Sequence, residues 1–115
     1  MRYLATVTGS GSVEVAAYGM ADAEHLVEKE IAALWPGARV RILEVRRPAG
    51  AAERIAEELT VEYRVSGTLD VKAPDVKAAR AEGFRQARAR FATSRYRRVR
   101  WETAELIPGL SIGHG

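Results

Sequence analysis

Apolar and polar residues either alternate or recur at helical spacing over most of this chain, and glycines and prolines separate the stretches. Residues 2 to 8 are rich in β-formers and run into Gly9-Ser10-Gly11-Ser12, after which Val13, Val15 and Ala17 resume an alternation. Two short runs about a Gly/Ser segment predict a β-hairpin. Asp22 stands where an N-cap is wanted, and Ala23, Leu26, Val27, Ile31 and Leu34 follow at helical spacing, with Glu24, Glu28, Lys29 and Glu30 on or near the opposite flank. Pro36-Gly37 ends that helix. A strand is expected over Arg39 to Arg47. Within it Val40 and Ile42 share one face while Leu43 and Val45 share the other, a phase change that calls for a bulge or for burial on both sides.

Pro48-Ala49-Gly50 breaks the chain near its midpoint, and residues 51 to 58 read as a short helical connection. Leu59, Val61, Tyr63 and Val65 then alternate with Thr60, Glu62, Arg64 and Ser66, a half-buried strand. Ser66-Gly67 reads as a turn into a return strand carrying Leu69, Val71 and Ala73. Asp75 caps a second helix running to about Phe91, with Val76, Gly83, Phe84, Ala87 and Phe91 as its apolar stripe, and a last strand spans Tyr96 to about Thr103. Residues 107 to 115 read as a loose tail.

Hairpin, helix and strand thus occur twice in the same order. The expected fold is α+β: duplicated ββαβ units at 1–47 and 59–106, forming one domain over residues 1–106 with two main helices and antiparallel strands, in one continuous sheet or two packed ones. A chain of 115 residues has room for one such core.

Net charge is only +3, yet its placement is uneven. Residues 1 to 73 hold nine Lys and Arg against eleven Asp and Glu, or −2, and residues 74 to 115 hold nine against four, or +5. The excess sits between Lys77 and Arg100. There is no Cys, which excludes disulfides, thiol catalysis and thiolate metal sites. The absence of Asn and the single Gln86 give a thermophile-like composition, which a GC-rich genome would also produce. The first residues reach Gly9 too soon to supply a signal-peptide core, and no apolar run approaches the roughly 20 residues of a membrane span. A cytoplasmic location without membrane contact is the expectation.

The first unit, with Tyr3-Leu4-Ala5-Thr6-Val7-Thr8-Gly9, Val13-Glu14-Val15-Ala16-Ala17, Asp22-Ala23-Glu24 and Arg39-Val40-Arg41-Ile42-Leu43-Glu44-Val45, resembles the archaeal large-subunit ribosomal protein of the LX type. That resemblance covers about 45 residues. Where the family has a Gly-Ser-basic turn after its helix, this chain has Pro36-Gly37-Ala38-Arg39. A start like that of the HicB-type antitoxins is equally compatible. The ribosomal resemblance implies contact with RNA.

Among candidate sites the basic region leads. Lys77, Arg85 and Arg88 lie together on one helix flank, Arg90 lies at the edge of the apolar stripe, and Arg80 falls inside it, where its stem packs and its head reaches out. Tyr96, Arg98 and Arg100 are expected on the strand face opposite Val99 and Trp101. Such arginines suit bidentate bonds to phosphate, or else pair with Glu62, Asp70 or Glu102 across strands. Only Tyr96 is offered for base stacking. Gly9-Ser10-Gly11-Ser12 lacks the Lys-Ser/Thr of a phosphate loop. His25 has no second ligand nearby, Glu24/Glu28 and Glu53/Glu57 are helix-face pairs suited to solubility, and Trp101 and Phe84 read as core. No catalytic constellation, metal site or cofactor is expected. The leading reading is a non-enzymatic module binding a polyanion, RNA first, through Lys77, Arg85, Arg88, Arg95, Arg98 and Arg100. The rival is a self-associating homo-oligomer in which the basic surface meets the Glu24/Glu28/Glu30 face of another copy.

Overall fold

The computed structural model of the chain describes residues 1–47 and 57–109. Its elements are β1 (Arg2–Ala17), α1 (Met20–Leu34), β2 (Arg39–Arg46), β3 (Glu57–Lys72), α2 (Val76–Phe91) and β4 (Arg100–Pro108). The fold is α+β: one antiparallel sheet in the order β2-β3-β1-β4, with two helices. Each half spells β-α-β, and β3 lies between β1 and β2 while β1 lies between β3 and β4. Two split β-α-β units are therefore interleaved, with the strand order of ferredoxin-like folds.

The expected hairpins do not form. β1 is a single strand of 16 residues that runs straight through Gly9-Ser10-Gly11-Ser12, and β3, also of 16, runs straight through Ser66-Gly67. They pair along their whole length, from Arg2 with Lys72 to Ala17 with Glu57. Each extends about 53 Å at ~3.3 Å per residue. The reason lies in parity. Val7, Gly9, Val13 and Val15 of β1 and Tyr63, Val65, Gly67 and Leu69 of β3 are all odd-numbered and all buried against the helices, so the period of two never lapses. The glycines are places of close approach. A Cβ at Gly9 would lie 2.7 Å from Trp101 Cε3, and one at Gly67 would overlap the Trp35 indole.

Other boundaries shift as well. β4 begins at Arg100, not Tyr96, and continues to Pro108, so Ile107 and Pro108 belong to the sheet, and the Gly109 N–H donates to the Arg2 carbonyl at 2.7 Å. Residues 51–56 of the expected helical connection and 110–115 of the expected tail lie outside the described residues; Glu57 and Glu58 open β3. α1 starts at Met20 with Gly19 as its cap, and Asp22, one turn inside, reaches back to accept from the Tyr18 N–H at 2.9 Å. Asp75 does cap α2, accepting from the Ala78 N–H at 2.8 Å. The phase change in β2 is a bulge. The register against β3 shifts between Ile42 and Glu44, leaving Leu43 exposed while Val40, Ile42 and Val45 pack on the core.

Both helices cover the same sheet face, and their C-terminal ends meet beneath its centre. Trp35, at the end of α1, packs edge-on against Phe91, at the end of α2, and against Trp101 of β4, with ring centroids 6.3 and 6.1 Å away; Phe91 and Trp101 are 5.5 Å apart. Arg90 lies over the Trp35 ring at 5.4 Å, where a cation also complements helix carbonyl ends. Val76, expected in the α2 stripe, is 49% exposed; Ala79, Gly83, Ala87 and Phe91 form the buried stripe instead. Among the described residues no helix lies on the other sheet face.

Candidate polyanion-binding face

Even-numbered residues of β1 and β3 point to the helix-free face, and pairing aligns them into rows across the strands. One row reads Arg41, Arg64, Ser10, Arg100 and the next reads Arg39, Ser66, Thr8, Thr103, in the order β2, β3, β1, β4. Four positions at roughly 4.8 Å between strands span about 14 Å. These two rows hold four arginines and four hydroxyl residues and no acid. The row beyond Arg64 contains Glu44 and Glu62, and Arg46 engages both, at 3.6 and 3.0 Å. On the β4 side the register against β1 shifts between Thr8 and Gly9, which leaves the exposed Glu102 unpaired between Arg100 and Thr103, and Glu105 follows in the row of Thr68 and Thr6. Among the described residues no carboxylate comes within ion-pair distance of Arg39, Arg41, Arg64, Arg98 or Arg100. The Thr8 and Ser66 hydroxyls lie 3.1 Å apart and share a hydrogen bond.

Arg98 extends the patch. It lines a hollow of about 440 Å³ with Ser10, Ser12, Glu62 and Arg100. A neighbouring hollow of about 440 Å³ adds Arg95, Arg97 and Thr60. The turn carrying these arginines, residues 92 to 98, follows α2 and is fixed from below by Tyr96. Tyr96 is 2% exposed, so it offers no base-stacking surface and shares no strand face with Arg98. Its ring packs edge-on against Tyr63 at 5.6 Å, and its hydroxyl donates to Glu30 at 2.5 Å. Burial, then the Glu30 carboxylate, drives the Tyr96 hydroxyl pKa upward, and burial pushes Tyr63 up to about 12.

The six residues singled out from the sequence do not form one site. Lys77, Arg85 and Arg88 lie on the solvent side of α2, away from its buried stripe. Arg85 is bound by Glu82 through its Nε at 2.7 Å, and the hydrogen bonds from Arg85 and then Gln86 hold the Glu82 carboxyl at about 2. Arg95 pairs with Glu30 at 2.9 Å and donates to the Glu14 carbonyl at 3.4 Å. Only Arg98 and Arg100 reach the open sheet face. Arg80 behaves as its position implied, its Nε donating to the Ala104 carbonyl at 3.4 Å.

Arg39, Arg41 and Arg64 complete the face and come from the half of the chain with net negative charge. Their signal was present in the alternation, since Arg41 lies between Val40 and Ile42 and Arg64 between Tyr63 and Val65. Only the sheet order brings them beside Arg100. His25 is exposed on α1, and among the described residues no three potential metal ligands converge. No described helix is long and apolar enough to cross a membrane. Comparison with family models, with curated proteins and with solved structures gives no match to this chain.

Proposed function

We propose that the protein is a non-enzymatic cytoplasmic module that binds the phosphate backbone of RNA across its open sheet face. One observation carries this reading: Arg39, Arg41, Arg64 and Arg100, without a carboxylate partner among the described residues, occupy two adjoining rows interleaved with hydroxyls, with Glu102 at the β4 bulge as the one acid beside them. Guanidinium groups on a fixed β-scaffold present planar donor pairs to phosphate oxygens, and Ser and Thr hydroxyls add neutral donors between them. No aromatic side chain sits in these rows, so the face grips charge and shape in preference to base identity.

The test is a salt series with a generic RNA. If about four phosphates are engaged, the slope of log affinity against log salt is roughly −3. The triple variant Arg41→Ser, Arg64→Ser, Arg100→Ser flattens that slope by roughly 2 to 3, whereas Lys77→Ser, Arg85→Ser, Arg88→Ser leaves it near the wild type. Equal binding by the sheet variant, with its fold intact by circular dichroism, overturns the assignment.

A second reading, self-association, is favoured by one other observation. β2 pairs with β3 only from Thr60 to Ser66, so among the described residues no strand lies beside the β3 edge at Thr68, Asp70 and Lys72. A mass that doubles with concentration in the absence of nucleic acid, measured by sedimentation equilibrium, would favour this reading.

A further inference from the structure

The open face has an internal arrangement that narrows the class of nucleic acid. Arg39 and Arg41 stand on the β2 margin and Arg98 and Arg100 on the β4 margin, about 14 Å apart across the strands. Between these two banks lie Thr8, Ser10 and Ser66, with Arg64 the one charge among them. The face carries no aromatic side chain in this region because Tyr63, Tyr96, Trp35, Phe91 and Trp101 all pack on the helix side. A single strand laid here would gain none of the roughly 1–3 kcal/mol per base that aromatic stacking supplies. A duplex needs no such platform, since its bases already stack on one another.

We infer that the preferred ligand is an A-form RNA duplex, its minor groove laid on the sheet with the two arginine banks on phosphates of opposite strands and Thr8, Ser10 and Ser66 on 2′-hydroxyls. This rests on the proposed phosphate-binding reading of the same face. The A-form minor groove is wide and shallow and displays 2′-hydroxyls, which an open sheet face can meet and a protruding element is not required to enter. A 2′-hydroxyl is both donor and acceptor, as are Ser and Thr hydroxyls. The mutual bond between Thr8 and Ser66 at 3.1 Å uses one hydrogen and one lone pair, so that pair still has a donor and acceptors to offer. B-form DNA has no 2′-hydroxyl and a narrower minor groove, of roughly 6 Å, so it satisfies neither the spacing nor the hydroxyls.

The experiment is a fluorescence anisotropy titration of the full chain with a blunt RNA duplex of about 16 base pairs, the DNA duplex of the same sequence, and each RNA strand alone, at one salt concentration. The RNA duplex should bind at least about tenfold more tightly than either competitor. The variant Thr8→Val, Ser10→Ala, Ser66→Ala should bring the RNA-to-DNA duplex ratio towards one while leaving the salt slope unchanged, because the arginines remain. Single-stranded RNA or duplex DNA bound as tightly as duplex RNA, or an unchanged ratio in the folded hydroxyl variant, overturns this inference while sparing the phosphate-binding reading. Absence of binding to all of them at low salt overturns both.

Discussion

Replacing Gly9 by alanine probes the packing that distinguishes a continuous β1 from a hairpin. The added methyl would lie 2.7 Å from both Trp101 Cε3 and Val99 Cγ1 and 2.9 Å from the Arg100 carbonyl oxygen. It falls short of ordinary contact, which starts at 3.4 Å, by about 0.7 Å on two sides, and the backbone oxygen cannot swing aside as a side chain could. Overpacking of this kind costs about 1–3 kcal/mol. Gly9 does not have a positive φ, so alanine also reduces unfolded-chain entropy, worth about 0.4–1 kcal/mol in the opposite direction. The net expectation is a loss of about 0.5–2 kcal/mol, or roughly 2–10 °C in Tm. Urea unfolding with a fixed m-value measures it, with Ser10→Ala on the open face as a control expected within about 0.5 kcal/mol of wild type. A Gly9→Ala protein as stable as wild type would refute the packing argument, because an open turn glycine would accept the methyl.

Gly67→Ala should be destabilising for the same reason, through Trp35, and the two substitutions should be partly non-additive because Trp35 and Trp101 touch; a double-mutant cycle reads this. Tyr96→Phe removes the hydrogen bond to Glu30 and should cost about 1–2 kcal/mol by urea melt, leaving the turn of Arg95, Arg97 and Arg98 less fixed. Tyr63 has its folded pKa raised above its ordinary value, so its contribution is fully present below pH 10 and is lost as pH rises through about 12. The unfolding midpoint should therefore fall over that window, and Tyr63→Phe should flatten the fall. Arg90→Gln removes the cation over Trp35 and should cost about 0.5–1 kcal/mol without changing RNA binding.

Much of the fold was legible in the sequence because periodicity is a local property. The α+β class, both helices and the Asp75 cap follow from residue spacing, and so does the phase change in β2, for which spacing left a bulge and two-sided burial both open and the register shows the bulge. The hairpins failed because glycine is ambiguous: at Gly9 and Gly67 it signals either a turn or a large ring pressed against the backbone, and the Trp35 and Trp101 rings are far away in sequence. Continuing the odd-numbered parity through residues 7, 9, 11 and 13 would have favoured the strand. The candidate site was less legible. Charge clustering along the chain pointed to the Lys77 to Arg100 stretch, but a helix turns its flank away from the sheet, and only strand order places Arg41 and Arg64 in line with Arg100.

The sheet order also determines how the chain can acquire its structure. Both neighbours of β1 are strands from the second half, and among the described residues the sole neighbour of β2 is β3, so the first 47 residues contain no strand pair of their own. As the chain leaves the ribosome, β1 must wait until Lys72 has emerged before its ladder can close, which makes for slow, non-local folding and leaves apolar strands bare in the interval. The two halves are thus obligate complements: neither fragment should fold alone, and mixing them should restore the sheet.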